Sequence, residues 1–281
     1  MKKLHYTLRR APQNNATEWW RAARFATAET GRIAHFQEKS GPLRPAAVFR
    51  GMYDDGAILL RCEVGGVSAS AEPREYNGWV CRDSCCEFFV QPPRPFGGYV
   101  NFEVNAAGVL HASHILDPER RPGGFRLFRY VRPEHGAQVE IRRWRGDEPA
   151  TPPLPRAGLE EDGSRSWGVA LRIPFALLRA YVGPWLEGAP WRANFFTCQE
   201  NDKARYYASW SPVPVFNFHT PQFFGELRFA SPSGTRTPEQ TVADDRANKG
   251  LQTVAEGRTP KGCQIITGGR RPPKNSTITA S

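Results

Sequence analysis

The stretch RDSCCEFFVQPPRPFGGYVNFEVNAAG, residues 82–108, spaces its acids and amides in a way that suits the display of polar groups to a ligand. Within 99–105 alternate side chains should point to opposite faces, because a strand has a period of two residues. One face is apolar and carries Val100, Phe102 and Val104. The other face is mostly polar and carries Tyr99, Asn101, Glu103 and Asn105. If 85–91 pairs with this strand as a hairpin, Glu87 joins the polar row. An ordinary solvated sheet face gives the same pattern, so the row alone does not separate a ligand site from plain surface.

The adjacent cysteines in this stretch raise the question of a metal site. Cys85 and Cys86 should point to opposite faces of their strand, which argues against a shared metal. The spacing of Cys81 from that pair matches no zinc pattern, and Cys198 is distant in the chain. We therefore predict no zinc site. The six cysteines form no compact disulfide framework, so reduced thiols in a cytoplasmic chain are expected.

Short alternating segments separated by turn residues position the polar row. This density of segments predicts an all-β fold, an antiparallel β-sandwich. One segment, 174–182, is predicted to be a short helix that begins with a proline in its first turn. The predicted strands are 57–64, 85–91, 99–105, 109–113, 125–131, 138–144, 166–173, 191–198 and 225–230.

Composition divides the chain into three parts. Residues 1–18 are predicted to be a leader segment, and 19–230 to be the sandwich domain. The segment 231–281 has no aromatic residue and little apolar periodicity, so we expect a disordered basic tail. The basic N-terminus lacks the apolar run of a signal peptide, which favours the cytoplasm. An extracellular or periplasmic location stays open if the N-terminus is incomplete.

The formal charge of +10 could indicate a nucleic acid or an anionic surface as partner. The basic residues are interrupted by prolines and acids, and no nucleic-acid-binding motif accompanies them. Membrane helices need about 20 apolar residues in a row, and the sequence has no such run. We therefore predict neither a nucleic acid nor a membrane as partner.

Aromatic residues flank the polar row in sequence. Tyr76 and Trp79 precede it, and Tyr206, Tyr207 and Trp210 occur later in ARYYASWSPVP. A sugar ring presents C–H groups that pack on an aromatic face, while its hydroxyls need amide and carboxylate partners. This combination favours a carbohydrate ligand. Surface tryptophans also serve protein interfaces, and a single tryptophan more often lies in a core.

Four segments together resemble the family 9 carbohydrate-binding modules and their stand-alone bacterial relatives. They occur in the family's order and are WVCRDSCCEFFVQP (79–92), GYVNFEVNAAG (98–108), WRANFFTC (191–198) and YYASWSPVPVFNFHTPQFFGELRF (206–229). The resemblance covers 19–230 and implies a β-sandwich that binds a sugar between two tryptophans, which by position are Trp79 and Trp210. It also implies hydrogen bonds to the sugar from Glu87, Asn101, Asn105, Asn194 and Gln199.

The resemblance further implies structural calcium, for which Asp54, Asp55 and Asp83 are the candidate ligands. Characterised modules also use an arginine, and Arg82 and Arg192 lie nearby without an assigned counterpart. Those modules are attached to secreted glycosidases, whereas this sequence shows neither an enzyme domain nor an export signal. We therefore expect a non-catalytic protein that binds mono- or oligosaccharides, linked to polysaccharide breakdown or sugar sensing.

The sequence leaves two other functions open. A glycoside hydrolase needs two carboxylates near the scissile bond, which Asp83, Glu87 and Glu103 could supply. A haem-binding, cytochrome-like sandwich needs axial Met or His ligands. The candidates for that role are Met52, His111, His114 and His219.

Overall fold

The computed structural model describes the sandwich, and the predicted tail at 231–281 lies outside the described residues. The described residues are 3–12, 19–72, 74–94, 97–122, 124–145, 148–149, 166–186, 188–200 and 205–230. Among them, no helix is both long and apolar enough to cross a membrane.

Strands dominate the described residues, as the alternating sequence pattern predicts. The first eight are β1 (His5–Arg10), β2 (Gly31–Ile33), β3 (His35–Phe36), β4 (Ala46–Tyr53), β5 (Ala57–Gly65), β6 (Cys85–Gln91), β7 (Tyr99–Asn105) and β8 (Leu110–Arg121). The remaining seven are β9 (Gly124–Tyr130), β10 (Gln138–Arg145), β11 (Glu148–Pro149), β12 (Ser166–Pro174), β13 (Trp191–Gln199), β14 (Tyr206–Ser209) and β15 (Gly225–Phe229). Short 3₁₀ helices lie at Ala22–Phe25, Val80–Arg82, Pro133–His135 and Pro221–Phe223.

Two sheets form the layers of the sandwich. In sheet A the order is β15-β13-β6-β7-β8-β9, and β14 joins β13 and then β3. In sheet B the order is β11-β10-β12-β5-β4, and β2 joins β4. The hairpin predicted from 85–91 and 99–105 is present as the antiparallel pair β6–β7.

Strand β1 corrects the predicted leader segment. Its first residues pair with β15 of sheet A, and its last two, Arg9 and Arg10, pair with β4 of sheet B. Both pairings are parallel, so the sandwich is not purely antiparallel. The sequence did not predict this strand, because its alternation is short and its ends are polar. Only Tyr6 and Leu8 of the strand are buried. Residues 5–10 therefore belong to the sandwich and connect its two layers.

Among the described residues there is one α-helix, α1 (Phe175–Val182), and it packs against the main core. Pro174 precedes it in an extended conformation, and Gly183, with φ of 78°, ends it in a backbone region that favours glycine. Its apolar face buries Leu177, Leu178 and Val182. The predicted helix at 174–182 is thus confirmed to within one residue.

The main core lies between the sheets and follows the period of two. Val100, Phe102 and Val104 of β7 contribute to it, as do Phe88 and Val90 of β6. The alternate side chains of β6 and β7 therefore lie on the outer face of sheet A. The predicted division of 99–105 into an apolar and a polar face is confirmed.

Candidate functional site

A cavity of about 320 Å³ lies on the outer face of sheet A. Its floor includes Glu87 of β6, Glu103 of β7 and Cys198 of β13, because all three point away from the core. The rest of the lining comes from loops, from the 3₁₀ helix Val80–Arg82, from β14 and from the end of β8. The other lining residues are Gln37, Cys81, Arg120, Glu200, Tyr207, Phe216, Asn217, Phe218 and His219.

Two carboxyl groups lie side by side on the floor of the cavity. Glu87 and Glu103 occupy directly opposed positions in the β6–β7 pair and are only 5% and 6% exposed. Asn101 donates a hydrogen bond of 2.6 Å to Oε1 of Glu103, and the Cys198 thiol donates one of 3.2 Å to Oε1 of Glu87. Burial raises the pKa of Glu87 well above its ordinary value, and the neighbouring Glu103 raises it further. The floor therefore offers a proton donor as well as acceptors.

An aromatic wall of the cavity is formed by Tyr207 of β14 and by Phe216 and Phe218 of the segment after that strand. Phe216 is 39% exposed, and its ring centroid lies 4.9 Å from that of Tyr207. The ring of Phe218 stacks on Phe196 with centroids 4.2 Å apart. Gln37 fixes this segment by donating a hydrogen bond of 2.9 Å to the backbone carbonyl of Val215. The cavity thus combines apolar ring faces with a polar floor.

His219 lines the cavity and contacts several neighbouring side chains. Its Nδ1 is 2.9 Å from the Tyr99 hydroxyl, and its ring lies 4.7 Å from Phe89 and 4.5 Å from Phe125. Burial lowers the pKa of His219 well below its ordinary value, and Arg120 lowers it further. His219 is therefore a neutral hydrogen-bonding group at physiological pH.

The lining includes two charged residues, Arg120 and Glu200, and an exposed tryptophan lies near Glu200. Arg120 stands over the Phe125 ring at 4.2 Å, and Glu200 lies 3.9 Å from Arg82. The guanidinium of Arg82 in turn stands 5.0 Å from the centre of the Trp79 ring. Trp79 is 67% exposed and does not line the cavity, but Arg82 contacts both its ring and the lining residue Glu200.

Trp210, the second predicted stacking residue, lies in the core and corrects the prediction of a tryptophan pair. Its side chain is 6% exposed and contacts Phe49 and Phe195 with ring centroids 5.8 and 5.9 Å apart. A Cβ added at Gly225 would come within 2.5 Å of its ring, so this position is glycine to admit the indole. Trp210 fills the interior of the sandwich and cannot present a face to a ligand in the cavity.

The side-chain amides of three predicted ligand-binding residues already form hydrogen bonds within the protein. Asn105 donates to Asp83 and accepts from the backbone N–H groups of Ala107 and Val109. Asn194 donates to the Ser211 carbonyl and accepts from its N–H. Gln199 accepts a 2.5 Å hydrogen bond from the Ser84 hydroxyl. None of the three lines the cavity. Asn101 does not line it either, but its side chain donates a hydrogen bond to Glu103, which does.

The three aspartates proposed for calcium do not fit a calcium site. Asp83 accepts two hydrogen bonds from Arg74 and one from Asn105. Asp55 pairs with Arg10, and Asp54 accepts from two N–H groups of its own turn. Calcium needs six to eight oxygen ligands around one point. Among the described residues, no group of three or more His, Cys, Asp or Glu side chains could hold a metal ion.

The residues considered for haem are also separated. Met52 lies in a small cluster with Phe25 and Leu59, on the outer side of sheet B, while His219 lies outside sheet A. His114 bonds the Gly97 carbonyl, and His111 approaches the Asn77 and Gly78 carbonyls. Of the carboxylates considered for hydrolysis, Asp83 is paired with Arg74, which leaves Glu87 and Glu103 together in the cavity.

Several lining residues were not predicted from the sequence. Phe216, Phe218, Asn217 and Gln37 come from loops, where no periodicity signals which side chain faces a ligand. The available signal was the segment 206–229, which resembles the family and contains FNFHTP (216–221).

Comparisons with known proteins agree with this architecture. The chain matches the family model for carbohydrate-binding family 9 over residues 22–127 and 152–229. No curated protein sequence is significantly similar to it. A protein of Bacteroides uniformis ATCC 8492, whose carbohydrate-binding role is itself inferred, has a similar structure, with a TM-score of 0.62 and 24% identity over 82% of this chain and 100% of its own.

Two structures of a family 9 module from Caldicellulosiruptor kristjanssonii are also similar, one in complex with cellotriose and one with glucose. Both have a TM-score of 0.51, and the identity is 12% for the cellotriose complex and 13% for the glucose complex. They cover 84% and 83% of this chain and 98% and 100% of their own. At these identities the likeness establishes the shared fold.

Proposed function

Because the chain belongs to carbohydrate-binding family 9, we propose that the cavity on the outer face of sheet A binds one or two sugar units, without cleaving them. The observation that carries the proposal is the pairing of a carboxyl floor, Glu87 and Glu103, with an aromatic wall that includes Phe216. Such binding would serve polysaccharide breakdown or sugar sensing.

The chemistry of a sugar matches both sides of this cavity. The hydroxyls of a pyranose act as donors and acceptors, and the floor provides acceptors at Glu103 and a proton donor at Glu87. The C–H face of the ring can pack on Phe216 or Tyr207, since aromatic surfaces bind apolar faces and a few polar groups fix orientation. Trp79 is the proposed platform for a second unit, because it is exposed and is linked through Arg82 to Glu200, which lines the cavity.

The size of the cavity limits the ligand. Ligand pockets span about 300–1,000 Å³, and this one, at about 320 Å³, is at the lower end. A monosaccharide or the end of an oligosaccharide is therefore favoured over the middle of a long chain. Glucose and cellotriose, which the family 9 module of C. kristjanssonii binds, are the first ligands to test.

Titration calorimetry with glucose and cellotriose, after a glycan-array screen, tests the proposal. Glu103→Ala removes a charged hydrogen-bonding partner and should weaken binding by about 1.5–3 kcal/mol. Glu134→Ala is the matched control, since Glu134 is exposed on a 3₁₀ helix and does not line the cavity. Wild-type affinity in the Glu103 variant, or no binding to any glycan, would contradict the proposal.

Hydrolysis is the second candidate function, because the pKa of Glu87 is raised beside a second carboxyl group. Glycoside hydrolases use one protonated and one ionised carboxyl group flanking the bond. Release of reducing sugar from the glycans that bind distinguishes the two functions. No release is expected, and release that is lost in both Glu87→Gln and Glu103→Gln would establish catalysis instead.

A further inference from the structure

Two cysteines of different sheets face each other inside the sandwich. Cys62 of β5 shares its face with Leu60 and Val64, which belong to the core between the sheets. Cys86 of β6 shares its face with Phe88 and belongs to the same core. The strand period therefore directs both thiols into the space between sheet A and sheet B.

The two sulfur atoms are in direct contact. They are 2.7 Å apart, and the Cys86 thiol donates toward the Cys62 sulfur. This separation is longer than the ~2.05 Å of a disulfide bond, so the two thiols are neighbours that are not bonded to each other. Both residues are free thiols, and a cavity of about 30 Å³ lined by both leaves room for the sulfur atoms to adjust.

The two thiols differ in access, which suggests an order of reaction. Cys62 is half-buried, whereas Cys86 is buried. Burial raises the pKa of the Cys86 thiol well above its ordinary value, so Cys86 is a poor first nucleophile. A small oxidant would reach Cys62 first, and Cys86 would be adjacent to resolve the product.

We propose that Cys62 and Cys86 are a redox pair that forms a reversible disulfide between the two sheets, with a small disulfide such as oxidised glutathione as the oxidant. Cys62 loses its proton to solvent and attacks one glutathione sulfur, and the other glutathione leaves as a thiolate that takes up a proton. Cys86 then loses its proton, attacks the Cys62 sulfur and releases the second glutathione. The protein gives up two electrons and two protons, and one glutathione disulfide becomes two glutathione thiols.

The bond would cross-link the layer that carries the cavity to the layer behind it. It joins residues 24 apart in sequence and so restricts the unfolded chain, which raises stability. Cys86 directly precedes Glu87, which lies on the floor of the cavity. The oxidised protein would therefore hold that part of β6 fixed against sheet B.

The test uses the full chain, reduced and then incubated with oxidised glutathione. Thiols counted after denaturation should fall from six to four. Trypsin cleaves after Arg61, Arg74, Arg82 and Arg120, but not at Arg94–Pro95, so mass spectrometry should find 62–74 linked to 83–120. The melting temperature should rise on oxidation and return to its former value with a reductant.

Variants identify the partners, because 83–120 also contains Cys85. The linked peptides should persist in Cys85→Ala and Cys263→Ala and be absent from Cys62→Ala and Cys86→Ala. Six remaining thiols, glutathione attached to Cys62 without a cross-link, or a link through another cysteine would each overturn the proposal. If Cys86→Ala fails to fold, the linked peptides of Cys85→Ala still identify the partner, because Cys86 is then the one cysteine left in 83–120.

Discussion

Glu87 and Glu103 lie directly opposite each other on β6 and β7, and both side chains line one cavity. Opposed residues of an antiparallel pair bring their Cβ atoms within about 4.5–5.5 Å, and like charges at that distance repel. Burial and the Glu103 charge both raise the pKa of Glu87, so the pair holds a proton that two exposed acids would lose. This proton has consequences for stability that can be measured.

Glu87→Gln should become stabilising relative to the wild type as the pH rises. The pKa of Glu87 is raised in the folded protein and is about 4.3 in an unfolded chain. The folded state therefore binds the proton more tightly than the unfolded state does. Proton binding stabilises the fold fully below about pH 4.3, and this stabilisation is lost as the pH rises through the pKa that Glu87 has in the folded protein. Glutamine has no proton to lose. Urea unfolding at pH 4, 6 and 8 measures the difference between the two proteins.

The control for this comparison is Glu134→Gln at an exposed position. Its unfolding free energy should follow that of the wild type at all three pH values. If the free energies of unfolding of Glu87→Gln and the wild type differ by the same amount at all three pH values, the proton of Glu87 does not cause the difference.

Substitution of the two tryptophans should separate binding from folding. Trp210→Ala removes a buried ring and should lower the free energy of unfolding by about 3–5 kcal/mol. Trp79→Ala removes an exposed ring and should change it by less than about 0.5 kcal/mol. Binding of cellotriose should weaken in Trp79→Ala. Urea unfolding and calorimetry on both variants check this, and wild-type stability in Trp210→Ala would contradict the buried position of the indole.

Phe216→Ala should weaken sugar binding with little effect on stability. Phe216 lines the cavity and is partly exposed, and aromatic contacts contribute about 0.5–1.5 kcal/mol beyond the area they bury. Leu186→Ala is a suitable control, because Leu186 is an exposed apolar residue that does not line the cavity. Calorimetry with glucose makes the comparison. Equal affinities for both variants would exclude Phe216 from the site.

Asn105→Ala should destabilise the fold, because the side chain serves the protein rather than a ligand. The substitution removes a donor from buried Asp83 and an acceptor from two backbone N–H groups. Unsatisfied buried groups cost about 1–3 kcal/mol each. Thermal unfolding of this variant and of Asn217→Ala, which changes a lining residue, provides the comparison. Lost sugar affinity at unchanged stability in Asn105→Ala would restore its predicted ligand role.

The sequence by itself determined the faces of the strands. The period of two is a local property, so Val100, Phe102 and Val104 could be assigned to the core and Glu103 to the opposite face without coordinates. The turn residues around 85–91 and 99–105 likewise indicated the hairpin that places Glu87 beside Glu103. The motifs in 79–92 and 206–229 indicated the family.

Only the tertiary structure decided which polar and aromatic groups remain available to a ligand. Asn105 and Asn194 have the right chemistry, but neighbours distant in sequence already use their hydrogen-bonding groups. Trp210 is directed inward by its packing on Phe49, a residue of the other sheet. Such contacts join elements far apart in the chain, and local periodicity contains no information about them. For the same reason Phe216, on a loop, could be placed in the cavity only once the fold was known.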